Sequence, residues 1–115
     1  MTNSQDPIEM AKDLLKEGDN LVSEKKFEDA LIKYHFVPKY AKVMGDHKLA
    51  AIGYIKILKI LIMKGDLQQA FPHLSLALRS VQRCDDPYCQ KELIDLLKNN
   101  PEFEKGFSEY RKLFK

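Results

Sequence analysis

Apolar residues recur at intervals of three and four along most of the chain, which is the spacing of one face of an α-helix. Short polar turns interrupt this pattern and divide it into six segments. The predicted helices cover residues 7–23, 27–44, 47–64, 67–81, 87–98 and 101–115. No segment alternates apolar and polar residues in the way a half-buried strand does. The pattern therefore predicts an all-α protein.

The predicted helix starts carry side chains that cap helices. Residues 6–9, Asp-Pro-Ile-Glu, form a capping box with proline at the first helical position. The same capping place before the third, fourth, fifth and sixth helices is taken by Asp46, Asp66, Asp86 and Asn100. These local signals predict where five of the six helices begin.

Two prolines fall inside predicted helices instead of at their starts. A proline removes one backbone donor and clashes with the preceding turn. We therefore expect a kink or a short break at Pro38, and a bend near residues 67–68 ahead of Pro72.

The third predicted helix is apolar around almost its whole circumference. Its first three lysines, Lys48, Lys56 and Lys59, cluster within about 80° on a helical wheel. A helix with so narrow a polar stripe must be covered on its other sides. We therefore expect this helix in the middle of the molecule.

A motif of large and small residues occurs three times. It reads Phe27-x-x-Ala30-Leu31-x-x-Tyr34, then Leu67-x-x-Ala70-Phe71-x-x-Leu74, then Phe103-x-x-Gly106-Phe107-x-x-Tyr110. The offsets are 40 residues (from 27 to 67) and 36 residues (from 67 to 103), which is typical of stacked helical repeats. The small residue of each motif leaves room for a neighbouring helix. Such repeats usually bind other proteins.

Length and charge narrow the classes of partner. The chain of 115 residues has the size of one domain. Its 19 basic and 17 acidic side chains leave a net charge of +2, so nucleic acid and anionic membranes are not expected partners. The most apolar run, residues 49–63, contains Lys56 and Lys59 and is too short to span a bilayer. The polar start lacks a secretory pattern, and we expect a cytoplasmic protein.

The chain contains few residues that could form a metal-binding or catalytic site. Cys84 and Cys89, its two cysteines, are compatible with a disulfide, with half of a metal site, or with two free thiols. Because the histidines are scattered and no second cysteine pair occurs, we favour free thiols and expect no metal site. Asp85 and Asp86 are explained as helix caps. No nucleophile–base spacing or phosphate loop is found, so we expect no catalytic residue, no cofactor and no enzyme activity.

The first two predicted helices resemble a tetratricopeptide repeat. Gly18, Leu21, Ala30 and Tyr34 fall on matching positions of that family's pattern. The second pair is less similar because Leu58 replaces the family's glycine. The third pair is degenerate, with Ile94 at the glycine position and Gly106 at the alanine position.

This resemblance covers about residues 7–115 and implies an all-α, TPR-like α-solenoid of about six antiparallel helices. It implies one domain, residues 1–115, with repeats at about 7–45, 46–84 and 85–115. The spacing exceeds the family's usual length of about 34 residues because the second helices are longer, so we expect an irregular superhelix.

Ligands of this family lie along the concave surface lined by the first helix of each pair, and the resemblance therefore implies a binding face here. The candidate partner-binding residues on that face are Leu15, Asp19, Ile52, Ile55, Lys56, Lys59, Met63, Tyr88 and Lys91. Two alternatives stay open: the apolar members pack in the core, and the lysines form a solvated helix face instead of a site for an acidic partner.

One subfamily, the chaperone-tail-binding co-chaperones, holds a carboxylate with a lysine and an asparagine around the first-helix glycine. Leu15 and Asp19 occupy these positions here, and an aspartate would repel the carboxylate, so we do not expect this clamp.

We expect instead an adaptor or co-chaperone-like module that binds a helical or extended segment of another protein. The alternative is a structural subunit that forms a homo-oligomer, or joins a larger complex, through exposed helix faces. The stripe of Phe107, Tyr110, Leu113 and Phe114 suits either a core or such an interface.

Overall fold

The computed structural model describes residues 6–112, which form six α-helices and no strand. The helices are α1 (Pro7–Ser23), α2 (Phe27–Val43), α3 (His47–Lys64), α4 (Leu67–Cys84), α5 (Pro87–Asn99) and α6 (Pro101–Lys112). The prediction of an all-α protein is confirmed. Most bounds agree with the predicted ones to within one residue, but α4 continues three residues beyond the predicted end at 81. Residues 113–115, with Leu113 and Phe114, lie outside the described part of the chain.

Aspartate side chains cap four helix starts, as the sequence indicates. The Asp6, Asp46, Asp66 and Asp86 carboxylates accept from the backbone N–H of Ile8, Leu49, Gln69 and Tyr88 at 3.3, 3.0, 3.3 and 2.8 Å. Asn100 behaves differently from the prediction. Its side-chain amide donates to the Leu96 carbonyl at 2.8 Å, and thus caps the end of α5. Its backbone carbonyl accepts the first bond of α6, from Glu104.

Neither internal proline ends a helix. α2 continues through Pro38 and α4 through Pro72, so the break that we considered at Pro38 is not found. Pro38 is buried against Gly53 of α3, where an added Cβ would lie 3.0 Å from the proline Cδ. Pro38 therefore packs directly against α3, and α2 stays helical on both sides of it.

The helix α3 lies at the centre of the molecule. It packs against α2 and α4 along much of their length and also contacts α5. Its side chains Ile57, Leu58 and Leu61 are among the largest fully buried ones. The expected central position of this helix is confirmed.

The last two helices join the second hairpin through different contacts. α5 lies against α3, and α6 lies against α4. The Phe71 ring of α4 is 5.4, 6.2 and 5.2 Å (centroid to centroid) from the rings of Phe103, Phe107 and Tyr110 of α6. The aromatic stripe of α6 is therefore part of the core as far as Tyr110.

The small residues of the three motifs lie where helices approach. Ala30 and Ala70 have no exposed surface. Gly106 is half-buried, and a Cβ built on it would lie 3.0 Å from Cζ of Phe71. The expected close packing at these positions is confirmed, although the third position faces a ring.

Candidate partner-binding face

α3 reaches solvent along a narrow stripe on its surface. This stripe, which we call the α3 stripe, consists of Lys48, Ile52, Lys56, Lys59 and Met63. Its members follow one another at intervals of three and four and so share one side of the helix. The other residues between Leu49 and Leu61 are buried. The α3 stripe is thus the part of this central helix that a partner can touch.

Ion pairs connect the α3 stripe to the helices on both sides. The pairs are Lys56 with Asp19 of α1 at 3.1 Å, Lys59 with Glu92 of α5 at 3.5 Å, and Lys48 with Asp86 at 3.1 Å. The Lys48–Asp86 pair joins the beginnings of α3 and α5, and the Lys59–Glu92 pair lies further along both, so the two helices run in the same direction. We call the surface formed by α1, α3 and α5 the odd-helix face.

A cleft of about 310 Å³ opens on the odd-helix face beside Lys56. It is lined by Asp19, Val22, Ser23, Tyr34, Lys56, Lys59 and Ile60. Val22 and Ile60 supply apolar surface, and the charged side chains stand beside it. The cleft therefore offers an apolar floor with polar walls, which suits a peptide segment better than a flat protein surface.

The polar wall of this cleft is a bonded group of three side chains. The Tyr34 hydroxyl donates to Asp19 Oδ1 at 2.5 Å, and Lys56 Nζ lies 3.1 Å from the same oxygen. Burial, followed by the bond to Asp19, raises the pKa of Tyr34 above its ordinary value. The phenol is therefore a fixed donor, and Asp19 is already paired with Lys56.

Gly18 makes this arrangement possible. A Cβ at residue 18 would lie only 2.4 Å from Cε1 of Tyr34, so a larger residue would push the ring away. Gly18 thus has a direct steric role in this chain.

The structure brings three of the nine candidate residues together in the cleft: Asp19, Lys56 and Lys59. Leu15 and Ile52 are half-buried and pack against the core. Ile55 is only 4% exposed and belongs to the core itself. The alternative that the apolar candidates pack in the core therefore applies to Ile55, and we leave this residue out of the binding face.

The remaining candidates lie away from the cleft. Met63 and Tyr88 are 56% and 57% exposed, at opposite ends of the face. Tyr88 follows Asp86, which pairs with Lys48, whereas Met63 lies about 22 Å further along α3 at the helical rise. Lys91 pairs with Asp95 within α5 at 3.0 Å.

Sequence reasoning missed the acidic partners of the lysines. Lys56 lies 37 residues after Asp19, and Glu92 lies 33 residues after Lys59. Both separations are close to the offsets of 40 and 36 residues between the three motifs. Opposite charges at this interval on α1, α3 and α5 were the sequence signal that could have predicted these ion pairs. The lysines are therefore not an unpaired basic patch; they form a solvent-exposed face whose charges are paired with acidic side chains.

A second exposed apolar surface lies on the outside of α2. It contains Ile32, Phe36, Val43 and Met44, which are 58%, 41%, 71% and 53% exposed, and we call it the α2 surface. A shallow cleft of about 250 Å³ beside Phe36 is lined in part by Met10, Leu14 and Tyr40. An exposed apolar area of this kind is typical of protein contacts.

Both cysteines are free thiols, as the sequence favours. Cys89 is fully buried, and its Sγ donates to the Lys48 carbonyl at 3.8 Å. Burial, with a smaller contribution from Cys84, raises the pKa of the Cys89 thiol to about 12. Cys89 is therefore a protonated packing residue at neutral pH.

Within residues 6–112 no group of three or more His, Cys, Asp or Glu side chains is placed to hold a metal ion. None of the helices described is long and apolar enough to cross a bilayer. Comparison with family models, with curated proteins and with solved structures finds no match for this chain.

Proposed function

We propose that this protein is a cytoplasmic, TPR-like binding module of the adaptor or co-chaperone type, which holds a segment of another protein on the odd-helix face. The observation that supports this most is the cleft beside Lys56. Its charged walls are already bonded to one another, so the site is formed before a partner arrives. A preformed site loses little conformational freedom on binding.

The chemistry of the cleft indicates an extended segment with an apolar side chain. Val22, which is half-buried at the cleft, would make the apolar contact with that side chain. Lys56 and Asp19 retain hydrogen-bonding capacity for the segment's backbone. A strongly acidic partner is disfavoured because it would compete with Asp19 and Glu92 for their lysines.

Site-specific photo-crosslinking tests this proposal. A photoreactive phenylalanine analogue placed at Ser23, an exposed residue of the cleft, should crosslink a partner in native extract. The matched control places it at Ser108, which is exposed on α6. Crosslinks of equal yield at both positions, or a partner captured with no crosslink at residue 23, would contradict the proposal.

Blocking variants give a second measurement. Ser23→Trp fills the mouth of the cleft from an exposed position and should reduce partner capture at least about tenfold, as loss of a central contact does. Met63→Glu should reduce capture only if the segment extends past Lys59 to the end of α3. Circular dichroism of each variant shows that the fold is retained.

The α2 surface favours a second candidate, a structural subunit that pairs with itself. Phe36 and Val43 supply exposed apolar area on one side of α2. Sedimentation should then show a mass above 13.3 kDa that decreases on dilution. Phe36→Glu with Val43→Glu should restore the monomer. A mass of one chain at all concentrations would exclude this candidate and leave the first intact.

A further inference from the structure

Two histidines that are far apart in the chain lie side by side in the fold. His35 belongs to α2 and His73 to α4, and their ring centroids are 5.3 Å apart at an interplanar angle of 63°. His35 is exposed and His73 is half-buried, so solvent ions reach the pair. The Tyr54 ring of α3 lies 6.5 Å from the His73 ring and backs it from the core side.

The hydrogen bond of His73 identifies which ring nitrogen is available. Nδ1 of His73 lies 2.8 Å from the Gln69 carbonyl oxygen. Because a carbonyl oxygen only accepts, Nδ1 carries the hydrogen, and Nε2 of the neutral ring has a free lone pair. Metal-binding histidines usually make this bond, which fixes the ring and makes the other nitrogen a better ligand.

The separation of the rings suits a shared ion. A tetrahedral zinc ion with Zn–N bonds of about 2.0–2.1 Å holds two imidazole centroids about 5 Å apart. The observed 5.3 Å is close to this value, so the spacing of α2 and α4 permits a shared ion once the exposed His35 ring turns a nitrogen toward it. Imidazole nitrogen favours zinc and similar transition metals over magnesium and calcium, which prefer oxygen.

We propose that His35 and His73 form a two-nitrogen site for a divalent cation of the zinc class, with water as the remaining ligands. The residues described offer no third His, Cys, Asp or Glu ligand at this site, so the protein supplies two. The ion would link α2 to α4 across the two N-terminal hairpins. This site lies apart from the cleft beside Lys56, and it does not depend on the proposed function.

Calorimetric titration of the untagged full chain with zinc chloride tests the site. His35→Gln and His73→Gln should each weaken zinc binding at least about tenfold, since even a lost second-shell bond has that effect. His47→Gln is the matched control, because His47 stands at the start of α3 and should leave affinity unchanged. Magnesium chloride should give no binding isotherm at the same concentrations.

Thermal unfolding gives an independent measurement. Zinc should raise the melting temperature of the native chain and of His47→Gln, and chelator should reverse the rise. His35→Gln should melt like the native chain in chelator but gain nothing from zinc. Because His35 is exposed, this variant is expected to fold even if His73→Gln does not.

The thiols are the rival site, and Cys84→Ser separates the two. We expect this variant to bind zinc as the native chain does. Zinc binding that is unchanged in both histidine variants, or that is lost in Cys84→Ser alone, would overturn the proposal. No detectable binding by the native chain would overturn it as well.

Discussion

The two junctions between helical hairpins are packed through different kinds of contact. Between the first and second hairpins, Gly53 of α3 lies so close to α2 that an added Cβ would be 2.9 Å from Val37 and 3.0 Å from Pro38. Between α4 and α6, the Phe71 ring occupies the space instead and stacks on Phe103 at 5.4 Å. At the first junction side chains of α2 lie directly against the backbone of α3, and the second junction is an aromatic cluster.

This difference shows what a repeated motif does and does not determine. All three motifs place a small residue where another part of the chain approaches. At Ala30 and Ala70 that residue is fully buried, whereas at Gly106 it accommodates the edge of a ring from the preceding hairpin. The same spacing therefore serves two kinds of packing, and the approaching residue decides which.

The ion pairs are a feature that the two junctions share. Lys56–Asp19 crosses the first junction, and Lys59–Glu92 crosses the second. Exposed pairs of this kind contribute only about 0–1 kcal/mol each. Their role is to position the walls of the cleft, while apolar packing supplies the stability.

The largest expected effect is at the aromatic junction. Phe71→Ala removes the ring that contacts three aromatic side chains of α6 and should lower the free energy of unfolding by about 3 kcal/mol. Urea unfolding measures this loss. Hydrogen exchange should increase in α5 and α6 before it does in α1–α3.

Phe36→Ala is the control for this change, because Phe36 is 41% exposed and lies outside the junction. It should lower stability by less than about 1 kcal/mol. An exchange increase that is uniform over all six helices would contradict a separate aromatic junction.

The next effect is at the backbone junction. Gly53→Ala places a methyl group against the buried Val37 and Pro38, which have little room to move. Overpacking should lower the free energy of unfolding by about 1–3 kcal/mol, in spite of a gain in helix propensity of up to about 1 kcal/mol. Thermal unfolding measures the net loss. An unchanged melting temperature would show that α2 and α3 separate easily.

Tyr34→Phe tests the side-chain hydrogen bond between α2 and α1 in the wall of the cleft. It removes the hydroxyl that donates to Asp19 and should lower stability by about 1.5 kcal/mol, as expected for a bond to a charged group. Tyr88→Phe, at a 57% exposed position, should have almost no effect. Equal losses in the two variants would exclude a special role for the Tyr34 bond.

The hydrogen bond from Tyr34 to Asp19 also makes the stability of the fold depend on pH in alkaline solution. Because the pKa of Tyr34 is raised in the fold, the unfolded chain releases the phenolic proton first, above a pH of about 10. The contribution of Tyr34 is therefore complete below that pH and is lost as pH rises further. Urea midpoints should show the gap between the native chain and Tyr34→Phe narrowing in this range. A constant gap would contradict the shift.

The smallest effect is expected at Gly106, and it sharpens the comparison with Gly53. A methyl group at residue 106 meets only the outer edge of the half-buried Phe71 ring, at 3.0 Å. The ring has room to shift, and the gain in helix propensity offsets the contact, so Gly106→Ala should change stability by less than about 0.5 kcal/mol. A loss as large as that of Gly53→Ala would show that Gly106 is packed as tightly as the α2–α3 junction at Gly53.

The helix limits were predictable where local chemistry sets them and not elsewhere. Aspartate caps are local signals, and those at 6, 46, 66 and 86 mark real helix starts. The end of α4 has no such signal, because Asp85 takes the left-handed conformation (φ 52°) that usually marks glycine. α2 continues through Pro38, which packs against Gly53 of α3.

The sequence predicted which side of α3 is exposed, but not which residues of the other helices its side chains contact. A helical wheel identifies the α3 stripe, because the few polar residues of α3 share one side. It also places Ile52 and Met63 on the lysine side and favours the core for Ile55, but only the neighbouring helices decide how completely each side chain is covered. The pairing of each lysine likewise depends on how α1 and α5 stack.

Periodicity, caps and turn residues determined the number of helices, most of their limits and the central place of α3, because these signals act over a few residues. Tertiary structure decided that Asp19 contacts Tyr34 and Lys56 in a cleft, that Phe71 joins α4 to α6, and that His35 lies beside His73. The physical reason is that each of these contacts joins side chains from different helices, so its geometry exists only after the helices have packed.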